Sequence, residues 1–169
     1  AADDVAAMDH DLGAFGAPVL LLSGGEPLLR PDIFELIAAA RQARLRVVLS
    51  TNGTPITPAL AGRIAGAGVH YVGISLDGLA GTHDAFRGQA GAFDRALAGV
   101  RHCLAAGVRV GLRLTLTRGN LDELPAIFDL IERERIPRAC FYHLVAAGRG
   151  GGLRDDAPSH AQTRNALDL

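Results

Sequence analysis

Along this chain, short apolar segments typical of strands alternate with segments in which apolar residues recur at the period of a helix. This alternation predicts a succession of strands and helices. Short apolar runs bounded by turn-forming residues predict strands over residues 18–23, 46–51, 70–76, 108–117 and 138–145. Apolar residues three and four apart predict helices over 1–16, 31–44, 57–67, 81–86, 92–106 and 120–134, with another beginning at residue 159. This repetition predicts an α/β fold with a parallel sheet. Five strands are too few to close an eight-stranded barrel, so we expect a partial barrel or an open sheet.

The first predicted strand ends in Ser23-Gly24-Gly25-Glu26-Pro27. The two glycines remove side chains at a strand end, where a ligand can then approach the backbone closely. Glu26 offers an acceptor to a cation or a hydroxyl group, and Pro27 fixes the direction in which the chain leaves. A tight strand-to-helix turn with a solvated Glu26 is the alternative interpretation.

Several later strands carry polar side chains on one face, increasingly toward their C-terminal ends. These residues are, in chain order, Ser50, Asn52, Ser75, Asp77 and Arg113. In parallel α/β folds the C-terminal ends of the strands are where ligands bind. A serine or asparagine at a strand end can equally cap the next helix, and Asp-Gly is a common turn.

Arg113 is the most informative of these residues, because a guanidinium within an apolar strand is costly unless it meets a carboxylate or a ligand. Together with Glu26, the set suits a zwitterion such as an amino-acid group. Glu26 would receive the ammonium, and Arg113 with Ser75 would receive the carboxylate. We assign no residue as a catalytic acid or base.

Composition narrows the range of partners. The chain has 169 residues, is 49% hydrophobic and carries a net charge of −1, so it lacks the basic footprint of a nucleic-acid-binding protein. No apolar run approaches the roughly 20 residues of a membrane span, and we expect no membrane partner. Neither cysteine belongs to a metal motif, Cys103 being on an apolar helix face and Cys140 within a strand. We therefore expect no metal ligand in the chain and a reducing, cytoplasmic location.

Four motifs in order, each at a strand end, resemble those of the radical S-adenosylmethionine (SAM) superfamily. They are Ser23-Gly24-Gly25-Glu26-Pro27, Ser50-Thr51-Asn52-Gly53, Ile74-Ser75-Leu76-Asp77-Gly78 with the following His83-Asp84 and Phe86-Arg87-Gly88, and Arg113-Leu114-Thr115-Leu116-Thr117. The resemblance implies a partial TIM-like barrel that binds SAM. It implies that Gly24 to Pro27, Ser75 and Arg113 hold its methionine part and that Ser50, Asn52 and Asp77 lie in the same cleft.

Within that superfamily the closer likeness is to the NirJ group of haem d1 biosynthesis. It lies above all in His143-Leu144-Val145-Ala146-Ala147-Gly148-Arg149-Gly150. This resemblance implies a tetrapyrrole substrate, removal of its propionate side chains, and substrate contacts from His143 and Arg149. Haem-synthase-type oxidative decarboxylases of coproporphyrin-like tetrapyrroles share the strand-end pattern and are the alternative.

The family's CxxxCxxC motif, which binds a [4Fe–4S] cluster through three thiolates, is absent from these 169 residues. We therefore expect an internal fragment that is inactive alone, with a partial radical SAM core over residues 1–147 and a glycine-rich connection over 148–169. The cluster ligands would lie outside the chain, and an electron donor would be a partner. Two alternatives are a non-catalytic SAM- or tetrapyrrole-binding module and a partial-barrel enzyme whose glycines after residue 147 hold phosphate.

Overall fold

The computed structural model describes residues 2–145 and 155–168 and contains the predicted alternation of strands and helices. Its elements are α1 (Ala2–Phe15), β1 (Val19–Leu22), a 3₁₀ turn (Pro27–Leu29), α2 (Ile33–Gln42), β2 (Arg46–Thr51), α3 (Pro58–Gly66), β3 (Tyr71–Ser75), α4 (Ala80–Arg87), α5 (Ala92–Ala105), β4 (Val110–Leu116), a second 3₁₀ turn (Leu121–Glu123), α6 (Leu124–Arg133), β5 (Ala139–His143) and α7 (His160–Leu167). The strands form one sheet in the order β1-β2-β3-β4-β5, and the pairs β1–β2, β2–β3 and β4–β5 run parallel. The predicted α/β fold class is confirmed.

The chain forms two compact units. Unit 1 comprises Ala1–Ile74 and Arg95–Gly111, and unit 2 comprises Ser75–Asp94 and Leu112–Leu169. The predicted boundary at residue 148 lies outside the described residues and stays a prediction.

Unit 1 buries one face of β2 against apolar helix residues. Val47 and Leu49 of β2 are buried, and Ser50 on the other face is half-buried, as the alternation predicts. The α2 residues Ile33, Leu36, Ile37 and Ala40 supply the buried face of that helix. At the start of α3, the Thr57 hydroxyl accepts a hydrogen bond from the Leu60 amide and so caps the helix.

Unit 2 is organised by the alternation along β4. Leu114 and Leu116 are buried in a cluster with Leu124 and Ile127 of α6, whereas Arg113 on the opposite face is half-buried. Each fully buried leucine side chain contributes roughly 1.5–3 kcal/mol, so this pattern determines which face of β4 meets the helix. The polar face is left for other contacts.

The last helix, α7, begins where the sequence predicts it. The Ser159 hydroxyl accepts a hydrogen bond from the Gln162 amide, and the Gln162 side chain accepts one from the Ser159 amide. This reciprocal capping box satisfies two N–H groups that would otherwise lack a partner within the helix.

Candidate functional site

The loop after β1 exposes its backbone. Ser23, Gly24 and Gly25 are exposed, and a Cβ built on either glycine would meet no atom within 4 Å. Gly24 has a φ of +139°, a conformation that favours glycine. A ligand can therefore approach the peptide groups of this loop without displacing a side chain.

Glu26 fastens that loop to the end of β2. Its Oε1 accepts hydrogen bonds from the Thr51 hydroxyl at 2.7 Å and the Leu28 amide at 3.1 Å. Its Oε2 accepts one from the Asn52 amide at 2.7 Å. Bonds to an ionised acceptor are stronger than neutral ones, so the half-buried carboxylate ties two separate strand ends together. This linkage differs from the solvated glutamate of the alternative interpretation.

Asn52 shapes the turn that follows β2. Its side-chain oxygen accepts hydrogen bonds from the Thr54 amide at 2.9 Å and the Thr54 hydroxyl at 2.8 Å. Gly53 has a φ of +76°, and a Cβ there would lie 2.6 Å from a methyl carbon of Ile74. The turn thus requires glycine at this position on both conformational and packing grounds.

Asp77 is the centre of a buried polar network in unit 2. It is 2% exposed, its Oδ2 accepts a short hydrogen bond from Arg87, and its Oδ1 accepts one from the Thr115 amide at 2.9 Å. Asn120, which is fully buried, donates to the carbonyl oxygens of Asp77 at 2.9 Å and Thr115 at 2.7 Å. The Leu76 amide donates to the Arg113 carbonyl at 3.0 Å. Beyond this backbone hydrogen bond, side chains rather than backbone groups connect the two strands. The network therefore fixes the C-terminal ends of β3 and β4.

Helix α4 supplies the groups that hold Asp77. His83 is 1% exposed, and its Nδ1 accepts a hydrogen bond from the Asp77 amide at 3.0 Å, which places the proton of the neutral ring on Nε2. Burial lowers the pKa of His83, and the neighbouring Arg87 lowers it further, against opposing effects of Asp77 and Asp84. The neutral form that this hydrogen bond requires is thereby favoured.

The remaining residues of the motif on α4 also have structural partners. The Asp84 carboxylate accepts hydrogen bonds from the Gly91 amide at 2.5 Å and the Phe93 amide at 2.8 Å, at the start of α5. These bonds lower the pKa of Asp84, the one from Phe93 having the largest effect. Gly88 ends α4 with a φ of +64°. The motif identified in the sequence thus joins α4 to two strands and a helix.

Arg113 meets an aromatic ring rather than a carboxylate. Its guanidinium carbon lies 5.0 Å from the centre of the Tyr142 ring on β5. Among the carboxylates whose side chains the structure describes, none forms an ion pair with it. A half-buried guanidinium whose charge is not neutralised by those residues is suited to receive an anionic group.

The two residues predicted to contact substrate are His143 and Arg149, and the structure describes only His143. His143 is opposite Leu116 in the β4–β5 register, and so shares its face with the buried side of β4 rather than with Arg113. Arg149 lies outside the described residues. Sequence reasoning missed Tyr142, although its alternation with His143 along β5 and its aromatic ring were visible signals.

The thiols of this chain do not form a cluster site. Cys103 is fully buried, and burial raises the pKa of its thiol to about 11, which disfavours the thiolate that binds iron. Within the described parts of the chain, no three histidine, cysteine, aspartate or glutamate side chains are grouped to hold a metal ion. A [4Fe–4S] cluster therefore does not fit these residues. Over the same residues, none of the helices combines the length and apolar character needed to cross a membrane.

An open groove of about 530 Å³ lies beside α4 in unit 2. It is lined by Gly81, Thr82, Ala85, Phe86, Thr117, Gly119 and Asp156. None of the predicted site residues lines it. The exposed Phe86 ring, 38% accessible, gives the groove an apolar wall.

The structure thus brings the predicted residues together in two sets. In unit 1, Glu26 binds the Asn52 amide, and Ser50 precedes that turn on β2. In unit 2, Asp77 binds the β4 strand that carries Arg113, and Ser75 is half-buried at the end of β3. The union of the two sets in one cleft stays a prediction.

Comparisons with known proteins identify the family. The family model described as "Radical SAM superfamily" matches residues 3–131. The chain is 51% identical over 163 residues to Fe-coproporphyrin III synthase of Methanosarcina barkeri, covering 96% of this chain and 41% of that protein. It is 49% identical over 160 residues to pre-heme d1 synthase of Dinoroseobacter shibae, covering 95% of this chain and 40% of that protein. The chain thus spans about two fifths of the length of these relatives.

A crystal structure of Streptococcus suis SuiB bound to precursor peptide SuiA has the same fold. It superposes with a TM-score of 0.84 at 17% identity, covering 99% of this chain and 38% of that one. This likeness, with the parallel strands of the sheet, confirms the predicted partial barrel. The family model and the two relatives together show that this chain belongs to the radical SAM superfamily.

Proposed function

We propose that this chain is part of a SAM-dependent radical enzyme that removes propionate side chains from a tetrapyrrole on the way to haem d1. The observation that carries the proposal is the 49% identity to pre-heme d1 synthase over 95% of the chain. Since the chain spans only 40% of that relative, the proposal concerns the longer protein to which these residues belong.

The residues of this chain suit the methionine end of SAM, which carries an ammonium and a carboxylate. Gly24 and Gly25 have open backbone for the ammonium, and Arg113 forms no ion pair with the carboxylates whose side chains the structure describes. Ser75, half-buried at the end of β3, would assist Arg113. The groups that support these contacts would be Glu26, Pro27, Ser50, Asn52 and Asp77.

Glu26 and Asp77 would act chiefly by holding backbone. Both carboxylates already accept hydrogen bonds from protein groups: Glu26 from the end of β2, and Asp77 from α4 and β4. Preorganised loops lose less entropy when a ligand binds. These two residues would therefore raise SAM affinity by fixing the loops that contact it.

The [4Fe–4S] cluster would be bound outside these residues, because three thiolates are needed and the chain has two cysteines. When bound, the cluster and SAM supply one-electron chemistry that abstracts hydrogen from the substrate. An electron donor would be a further partner. The scarcity of cysteine in this chain supports a reducing, cytoplasmic location.

A second function is favoured by an equally strong observation. The identity to Fe-coproporphyrin III synthase is 51% over 96% of the chain. The substrate would again be a tetrapyrrole, and the product Fe-coproporphyrin III. The haem-synthase-type decarboxylase predicted as an alternative also acts on a tetrapyrrole but retains part of each propionate side chain.

Product analysis tests these proposals. The full-length protein is reconstituted anaerobically and incubated with SAM, a reductant and propionate-bearing iron tetrapyrroles. We expect 5′-deoxyadenosine and a tetrapyrrole product whose mass shows loss of whole propionate side chains. Loss of carbon dioxide and two hydrogen atoms from each converted side chain would favour the oxidative decarboxylase, and Fe-coproporphyrin III would favour the second function. SAM binding without any deoxyadenosine would refute the radical enzyme.

A substitution at Glu26 tests the SAM site separately. Glu26→Ala removes the acceptor of three hydrogen bonds, and we expect SAM to bind about tenfold more weakly, equivalent to about 1.4 kcal/mol. Glu35→Ala, at an exposed position of α2, is the matched control. Equal affinities of the two variants would refute the role of Glu26.

A further inference from the structure

We propose that Tyr142 is a positioning residue that holds the Arg113 guanidinium ready for an anionic ligand. The inference rests on the proposed SAM site and adds a residue to it. It starts from one contact: the guanidinium carbon of Arg113 lies 5.0 Å from the centre of the Tyr142 ring, within the range of a cation–π interaction.

The register of β4 and β5 makes this contact a consequence of the sheet. Arg113 is opposite Cys140, and Thr115 is opposite Tyr142. Tyr142 is therefore the diagonal neighbour of Arg113 on the same face, within reach of a long side chain. Both strands are paired along this stretch, so the backbone positions of the two residues are fixed by the ladder.

Phe141, the neighbour of Tyr142 in sequence, lies on the opposite face of β5. Its ring packs on Phe128 of α6 with 5.6 Å between centres, and it is opposite the buried Leu114 in the register. Phe141 therefore contacts α6, whereas Tyr142 is on the face of the sheet that carries Arg113; the two rings are similarly exposed, at 37% and 39%. Adjacent aromatic residues thus have separate roles.

An aromatic partner has a specific advantage over a carboxylate here. The ring attracts the guanidinium through its π face and limits the conformations of a long side chain. A bidentate carboxylate would occupy two N–H donors and neutralise the charge. The ring leaves most of the five donors and the full positive charge for a ligand carboxylate. Tyr142 can therefore order Arg113 without competing for the ligand.

The test measures SAM dissociation constants by equilibrium dialysis, with the reconstituted full-length protein and its variants. Tyr142→Leu removes the ring and keeps an apolar side chain, and we expect SAM binding to weaken about three- to fivefold. Tyr142→Phe keeps the ring and should restore most of the affinity. Phe141→Leu is the matched control: it should lower the melting temperature but leave the SAM dissociation constant unchanged.

A double-mutant cycle with Arg113→Gln separates positioning from general loosening of the strand. If Tyr142 acts through Arg113, Tyr142→Leu should have no further effect on SAM affinity in the Arg113→Gln background. An equal effect in both backgrounds would overturn the inference. The inference would also be overturned if Arg113→Gln weakened SAM binding and Tyr142→Leu did not. That result would leave the proposed SAM site intact. An unchanged affinity for Arg113→Gln would instead refute the role of Arg113.

Discussion

The Arg87–Asp77 pair allows a quantitative prediction about the ends of β3 and β4. The Asp77 side chain is 3% exposed and that of Arg87 is 33% exposed. Arg87→Met keeps the apolar stem and leaves the buried carboxylate without its cation. Breaking a fully buried pair costs about 3–5 kcal/mol. Because Arg87 is partly accessible and the Thr115 amide still donates to Asp77, we expect a loss of about 2–3 kcal/mol in the free energy of unfolding.

Two measurements examine this prediction. Denaturant unfolding gives the overall loss, and amide hydrogen exchange reports on Thr115, whose N–H donates to Asp77 Oδ1. We expect faster exchange at Thr115 in the Arg87→Met variant, because the acceptor becomes mobile once its cation is removed.

An arginine whose guanidinium is mostly in water provides the matched control for the same substitution. Arg133 is 67% exposed and lies 3.8 Å from the carboxylate of Glu134, whose side chain is 11% exposed. Because the guanidinium is solvated and the separation is beyond hydrogen-bond distance, the pair should contribute only about 0–1 kcal/mol, and Arg133→Met should change stability little. Similar losses for Arg87→Met and Arg133→Met, with Thr115 exchange unchanged in both, would refute the central position assigned to Asp77.

Further predictions concern backbone, protonation and thiols. Gly78→Ala should destabilise the protein, because φ is +152° and the new Cβ would lie 2.7 Å from a neighbouring side-chain carbon. Gly62→Ala, in open space on α3, should instead stabilise it by about 0.5–1 kcal/mol. Thermal unfolding checks both, since the melting temperature should fall for the first variant and rise for the second. The pKa of His83 is lowered on folding, so acidification below about 6.5 protonates the unfolded chain first. Melting temperature should therefore fall between pH 7 and pH 5.5, less steeply in His83→Asn, and parallel slopes would contradict this. Iodoacetamide at pH 8, followed by peptide mapping, should modify Cys140 before Cys103, because Cys103 is buried and the pKa of its thiol is raised to about 11. The reverse order of modification would contradict the burial of Cys103.

The sequence predicts the elements well because each strand has a clear apolar period. Leu112, Leu114 and Leu116 alternate with Arg113 and a threonine, and the structure buries the leucines as expected. The Ser159 cap was equally readable, since serine followed three residues later by glutamine is a local signal.

The roles of side chains within the site were harder to predict, because they depend on partners distant in sequence. The position of Asp77 after β3 predicts that it lies in a ligand-binding cleft. In the structure its carboxylate binds Arg87 on the next helix and the amide of Thr115, 38 residues away. Strand alternation cannot reveal such a partner. The same limitation applies to Tyr142, whose contact with Arg113 follows from the register between two strands.

The carboxylate of Glu26 has a consequence for how related sequences can diverge. It joins a hydroxyl and an amide that lie 25 and 26 residues further along the chain. A change at position 26 therefore removes the partner of Thr51, and a change at position 51 removes a donor to Glu26. The two positions should evolve as a pair, with serine the substitution most readily accepted at position 51. In an alignment of relatives, correlated changes at 26 and 51 would reveal this link between the first two strands without any structure.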